Sequence, residues 1–135
     1  MSDKIKILVV EDEVSAASLM TYLLTRAGYD VQVAFRGYQA LELAQREKFS
    51  LITLDVDMPG MNGFEICREL RQREFSSQTP IVFVSGPGDE ASRQKVFALG
   101  ASDFIEKPFP ADDFICRIDS FARTESCALE TTVVI

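Results

Sequence analysis

No histidine occurs among the 135 residues. This removes from the chain every Ser–His and Cys–His nucleophilic site, every histidine-ligated zinc, and any phosphohistidine of its own. Cysteine is scarce as well. Cys67, Cys116 and Cys127 are odd in number and lack CxxC spacing, which fits reduced thiols. The first two read as buried packing residues rather than metal ligands. No stretch approaches the ~18 consecutive apolar residues of a membrane span, and the N-terminus lacks a signal-peptide core. The expectation is a cytoplasmic protein without a membrane segment. Positive charge is in deficit: 14 Lys and Arg stand against 21 Asp and Glu, a net charge of −7. An acidic surface of this kind argues against direct binding to nucleic acid or anionic lipid.

The chemistry that remains is carboxylate, hydroxyl and lysine chemistry, carried on an ordinary globular composition. Apolar residues make up 47% and charged residues 26%, which argues against disorder and suits one domain with one core. Short apolar runs alternate with segments of helical periodicity. "IKILVV" (5–10) reads as a buried strand. From Val14 to Ala27 the positions Ala16, Leu19, Met20, Leu23, Leu24 and Ala27 recur at helical spacing, and Gly28 supplies a C-terminal stop. Strands follow at 31–35, 51–55, 81–85 and 103–106. Helices are expected over 37–48, with Ala40, Leu41 and Ala44 on one face, then 64–73, about 90–99 up to Gly100, and 111–123. In the last helix Phe114, Ile115, Ile118, Phe121 and Ala122 face inward. Five β–α units with near-continuous apolar strands predict an α/β fold: one doubly wound, five-stranded parallel sheet with five helices. The tail "TESCALETTVVI" (124–135) completes no unit and reads as a linker or the start of something else.

In a doubly wound sheet, sites form beyond the carboxyl ends of the strands. The polar residues at those ends are Glu11 and Asp12 after the first strand, Asp55 after the third, Ser85 at the fourth and Lys107 after the fifth. Three carboxylates in one crevice repel one another and call for a cation. Oxygen ligands alone favour a hard divalent ion such as Mg²⁺, which keeps waters and leaves room for a phosphoryl oxygen. Lys107 is a point charge suited to carboxylate or phosphate, and Ser85 offers a hydroxyl. Together they suit transfer of a phosphoryl group onto an aspartate oxygen.

The ordered set "LVVEDE", "LDVDMPGMNG", "VSG" and "GASDFIEKPF" resembles the receiver domain of two-component response regulators. The resemblance spans residues 5 to about 123, with "AFRGYQAL" (34–41) similar to the family's second strand and helix. It implies a flavodoxin-like (βα)5 domain over 1–123, with 124–135 as a tail or the start of a linker to an output region. Asp55, four residues before Pro59, matches the phosphoacceptor. Asp12 and Asp55 would coordinate Mg²⁺ (Mn²⁺ as an alternative), Glu11 acting through a water and Asp57 through its backbone carbonyl. Ser85 and Lys107 match the hydroxyl and lysine that act on the phosphoryl group, and Gly86 matches the small residue whose backbone contacts phosphate. The Lys107–Pro108 bond is implied to be cis. Phe104 matches the switch aromatic and lacks the hydroxyl of the commoner Tyr.

The implied donor is a phosphohistidine on a sensor histidine kinase or a histidine phosphotransfer protein. It would dock on the first helix (Ser15, Ala16, Leu19) and the loop after Lys107. The fourth helix, fifth strand and fifth helix would report the state to an output partner, including through a phosphorylation-dependent homodimer. Such a domain is a self-acting switch rather than a turnover enzyme.

Each residue alone has a plainer reading. Glu11 and Asp12 would serve a helix N-terminus, Ser85 a turn, Lys107 a solvated surface and Phe104 the core; the functional reading rests on their coincidence. The "SGPG" turn (85–88) departs from the family and reads as local loop variation. Two rivals stand beside it. "LDVDM" resembles the haloacid-dehalogenase phosphatase motif, although that motif belongs to a first strand and Pro59 replaces its Thr or Val. A pseudo-receiver would bind partners on the same surface without phosphorylation.

Overall fold

Both alternating sets of residues on the strands are apolar, so the sheet must be covered on both faces. The computed structural model describes residues 4–87 and 90–123; the tail, Cys127 and Gly88 of the "SGPG" turn lie outside them. In chain order the elements are β1 (Lys6–Val10), α1 (Val14–Arg26), β2 (Asp30–Ala34), α2 (Gly37–Arg46), β3 (Leu51–Leu54), α3 (Gly63–Arg71), β4 (Ile81–Ser85), α4 (Glu90–Ala98), β5 (Asp103–Glu106) and α5 (Ala111–Ala122). The strands form one parallel sheet in the order β2-β1-β3-β4-β5. This is the expected doubly wound fold.

The pleat sorts the core into two halves. Leu8, Val10, Ile52, Leu54, Phe83 and Phe104 face α2, α3 and α4, where Ala40, Leu41, Ile66, Leu70 and Val96 meet them. Ile7, Val9, Leu51, Val82, Val84 and Ile105 face α1 and α5, meeting Met20, Leu24, Phe114 and Ile118. Burying one such aliphatic or aromatic side chain contributes about 1.5–3 kcal/mol, so these two layers dominate stability.

Element ends depart from the periodicity by a residue or two. Helix α2 stops at Arg46 because Glu47 is extended. Gly28 and Gly100 follow α1 and α4 at φ +100° and +99°, a conformation that suits residues without a Cβ. Leu19 keeps its helical spacing and is 51% exposed, because the covered face of α1 runs through Ala17, Met20 and Leu24. One expectation needs correction. Cys116 is exposed, not packed; it lies two residues from both Phe114 and Ile118 and so points away from the sheet. Cys67 is buried as expected, its thiol reaching the Leu99 carbonyl at 3.7 Å. Among the described residues no helix is long and apolar enough to cross a membrane.

At the amino-terminal end of the strands, just before β2, Tyr29 is buried and its hydroxyl donates to Asp119. Arg123 Nε donates to the same hydroxyl at 2.9 Å, and its other arm donates to the Ala27 carbonyl at 2.8 Å. The guanidinium also lies 4.5 Å from the Tyr29 ring centroid. This clasp fixes the end of α5 to the turn between α1 and β2. Burial, reinforced by the bond to Asp119, pushes the Tyr29 hydroxyl up from 10.0 to about 12. Between those values the folded protein keeps a proton that the unfolded chain has lost, so stability falls as pH rises through that window. Urea unfolding at stepped alkaline pH should show this loss in the native protein and a flatter profile in Tyr29→Phe.

Candidate functional site

The order β2-β1-β3 places the divergence of connections between β1 and β3, where a crevice opens at the carboxyl ends. Glu11 and Asp12 follow β1 there, Asp55 follows β3, Ser85 ends β4 and Lys107 follows β5. The Glu11 N–H donates to the Ala34 carbonyl and the Lys107 N–H to the Ser85 carbonyl, at 3.0 and 2.7 Å, which extends strand-like pairing to the rim. One carboxylate oxygen from each of Glu11, Asp12 and Asp55 lies within 4.8 Å of the others. Glu11 is 1% and Asp55 7% exposed.

The lysine enters this cluster directly. Lys107 Nζ is 2.6 Å from Glu11 Oε1 and 3.1 Å from Asp55 Oδ2. The other Asp55 oxygen, Oδ1, accepts from the Ser85 hydroxyl at 2.8 Å and from the Asp57 N–H at 3.0 Å. Glu11 Oε2 accepts from the Glu13 N–H at 3.2 Å. Burial pushes the Glu11 carboxyl up, the neighbouring Asp55 charge adds to this, and the hydrogen bond from Lys107 opposes it without reversing it. Burial alone would lower Lys107, yet Glu11 and Asp55 outweigh it and hold the ammonium raised and charged. Three carboxylates thus face one ammonium. The excess negative charge and the all-oxygen donor set fit a hard divalent cation.

Sequence reasoning named Glu11, Asp12, Asp55, Ser85 and Lys107, and the structure brings all five together. The Lys107–Pro108 peptide is cis. Phe104 is buried beside Phe83. The Asp57 side chain is exposed, and its backbone N–H, which the sequence did not single out, supports Asp55. Gly86 follows Ser85 with open space where a Cβ would stand. Gly63 was also missed. A Cβ there would sit 2.3 Å from the Asp55 carbonyl oxygen and 2.8 Å from Val56 Cα. Its N–H donates to the Val56 carbonyl at 2.9 Å. The next helix therefore begins hard against the segment that presents Asp55, held in place by an Asn62–Glu65 capping box. The only signal in the sequence was the "MNG" turn.

The receiver-domain model of response regulators ("Response regulator receiver domain") matches residues 7–119. The chain belongs to this family. It is a receiver domain of the two-component kind, 40% identical over 131 residues to the probable transcriptional regulator ycf27 of Cyanophora paradoxa, covering 96% of this chain and 54% of that protein. It is 39% identical over 123 residues to the alkaline phosphatase synthesis regulator PhoP of Bacillus subtilis, covering 91% and 50%. The receiver thus spans about half the length of these curated relatives. Among solved structures, chemotaxis protein CheY4 of Vibrio cholerae superposes with a TM-score of 0.84 at 31% identity, over 87% of this chain and 98% of that one. The receiver domain of a Pseudomonas aeruginosa sensor histidine kinase, with magnesium coordinated in its active-site cleft, gives 0.82 at 25%, over 88% and 98%. The phosphatase and pseudo-receiver readings are not favoured by this company.

Gly63→Ala should destabilise the receiver by about 1–3 kcal/mol, because the backbone it would strike cannot swing away as a side chain can. Urea unfolding measures this, and a midpoint equal to that of the native protein would show that the α3 terminus yields freely.

Proposed function

We propose that the receiver takes a phosphoryl group onto Asp55 in a Mg²⁺-dependent reaction. The observation that carries this reading is the division of the two Asp55 oxygens, one held by Ser85 and the Asp57 N–H, the other by Lys107. The carboxylate is thereby oriented while its charge is balanced from two sides. Asp12 and Asp55 would hold the cation directly, with Glu11 acting through a water and the Asp57 carbonyl as a further ligand. Bound there, the ion supplies Lewis-acid neutralisation of phosphoryl oxygens. An Asp55 oxygen attacks phosphorus, the bond from phosphorus to the donor nitrogen breaks, and that nitrogen leaves with its electron pair. Lys107 and the Ser85 hydroxyl then move their contacts from the carboxylate to the phosphoryl oxygens, joined by the Gly86 backbone. Attack of water on the acyl phosphate returns inorganic phosphate and resets the switch.

The proposed donor is a phosphohistidine of a sensor kinase or phosphotransfer protein, on another protein or domain, because these 135 residues hold no histidine of their own. A mostly apolar cavity of about 340 Å³, lined by Ser15, Ala16, Leu19, Lys107 and Phe109, supports docking of the donor beside the acceptor. For output we propose the face of α4, β5 and α5. Opposite charges alternate on it, with Arg93 by Glu106 and Arg117 by Asp103 and Asp113, which suits a self-complementary dimer contact. Residues 124–135 are proposed as the start of a connection to an output region, a reading supported by the regulators about twice as long that match it. The receiver domain itself is placed at 1–123.

Incubation with acetyl phosphate and Mg²⁺ should raise the intact mass by one phosphoryl group in the native protein and not in Asp55→Asn. An unshifted native mass would sink the proposal and favour a pseudo-receiver. On the same sample Asp57→Asn should still be phosphorylated at Asp55 but decay at a changed rate; an equal rate would reduce that side chain to a bystander.

A further inference from the structure

Phe104 sits in the core at 2% exposure, yet one side of its ring is closed by a charged side chain rather than by apolar packing. The Arg93 guanidinium, carried on α4, lies 5.0 Å from the ring centroid. Its Nη1 is 3.6 Å from Glu106 Oε1, two residues further along β5 and on the same side of the strand as the ring. The backbone of Phe104 is held separately: its carbonyl accepts from Arg117 Nη1 at 3.1 Å, and its N–H donates to the Asp103 carboxylate at 2.8 Å. With the main chain pinned, the freedom left to this residue is rotation of its side chain. Beside it a cleft of about 220 Å³, lined by Arg93, Phe104, Glu106, Asp113 and Arg117, gives ring and guanidinium room to exchange places.

We propose that Arg93 is a positioning residue for the switch: anchored by Glu106, its guanidinium holds the Phe104 ring in the inward rotamer. A cation prefers the face of an aromatic ring, and the attraction strengthens where water is excluded. A phenylalanine has no hydroxyl with which to fix its rotamer, so the bias must come from what covers it. Arg93 supplies that cover from α4, and movement of α4 and rotation of the ring become one event. Through the Phe83–Phe104 strand register and the neighbouring Ser85, the inward ring is continuous with the hydroxyl bonded to Asp55. The link to phosphorylation rests on the function proposed above; the latch on the ring does not.

The test places 4-fluorophenylalanine at position 104 of the full chain and reads ring exposure from the fluorine solvent isotope shift. Arg93→Ala should move the inward–outward equilibrium toward the exposed ring by about two- to five-fold, and Glu106→Gln in the same direction. Arg93→Lys, which keeps a cation and an anchor, should preserve most of the native value. An unchanged shift in Arg93→Ala, or a lysine variant indistinguishable from the alanine one, overturns the proposal. A beryllofluoride titration with Mg²⁺ forms the second arm. If the native protein binds beryllofluoride, Arg93→Ala should bind it more weakly by a similar factor, and equal affinity would overturn the coupling. If the native protein binds none, the phosphoacceptor reading fails, and the fluorine shift alone decides the latch.

Discussion

A single ammonium group between two carboxylates holds the working end of this receiver together. Lys107 reaches Glu11 and Asp55 from the end of β5, and so joins three strands that are far apart in sequence. Without it, Glu11 would be a buried carboxylate beside two others with only a backbone N–H as partner. Removing one member of such a pair leaves an uncompensated buried charge. The arrangement is nevertheless incomplete by its own electrostatics, since three carboxylates share one cation. That imbalance links the fold to the chemistry: the same charges that repel in the resting site are the ones that attract a hard metal ion and an electrophilic phosphorus.

The rest of the molecule divides into a fixed base and a freer flank. Tyr29, Asp119 and Arg123 clasp the end of α5 to the α1–β2 turn. Arg71 donates to the carbonyls of Ser76, Thr79 and Gly100, tying the end of α3 to the approach to β4 and to the turn after α4. Helix α4 is different. Among its described residues only Val96 is buried, whereas α2 and α3 each bury four residues. A helix held by one buried side chain and by side-chain contacts such as Arg93 on Phe104 is a low-cost element to move. Ser85 and Phe104, the residues proposed for the switch, lie on β4 and β5, the strands before and after it in the chain.

Much of this was legible in the amino-acid order. The strand-end residues could be found because a doubly wound sheet forces carboxyl ends to one rim, so a polar residue closing an apolar run has only one place to go. Cys116 and Leu19 show the limit. Helical spacing puts Leu19 near the core stripe of α1 and says nothing of how far the stripe is covered, and Cys116 was read as packed although it falls opposite Phe114 and Ile118. Long side chains were the least legible. Arg71, Arg93 and Arg123 drew no reading from the sequence, because their contacts depend on a tertiary approach across about 30, 10 and 95 residues of chain, which no local pattern encodes. Gly63 was hidden for a related reason: its clash is with the backbone of a different turn.

The carboxylate cluster is under-neutralised by Lys107, and a divalent cation would complete it. Urea unfolding of the native protein and of Asp12→Asn across a Mg²⁺ titration decides this. The native midpoint should rise with Mg²⁺ and follow a binding curve. Asp12→Asn should start above the native protein without Mg²⁺, freed of part of the repulsion, and respond weakly to the ion. A native midpoint indifferent to Mg²⁺, with Asp12→Asn no more stable than the native protein in its absence, would contradict it.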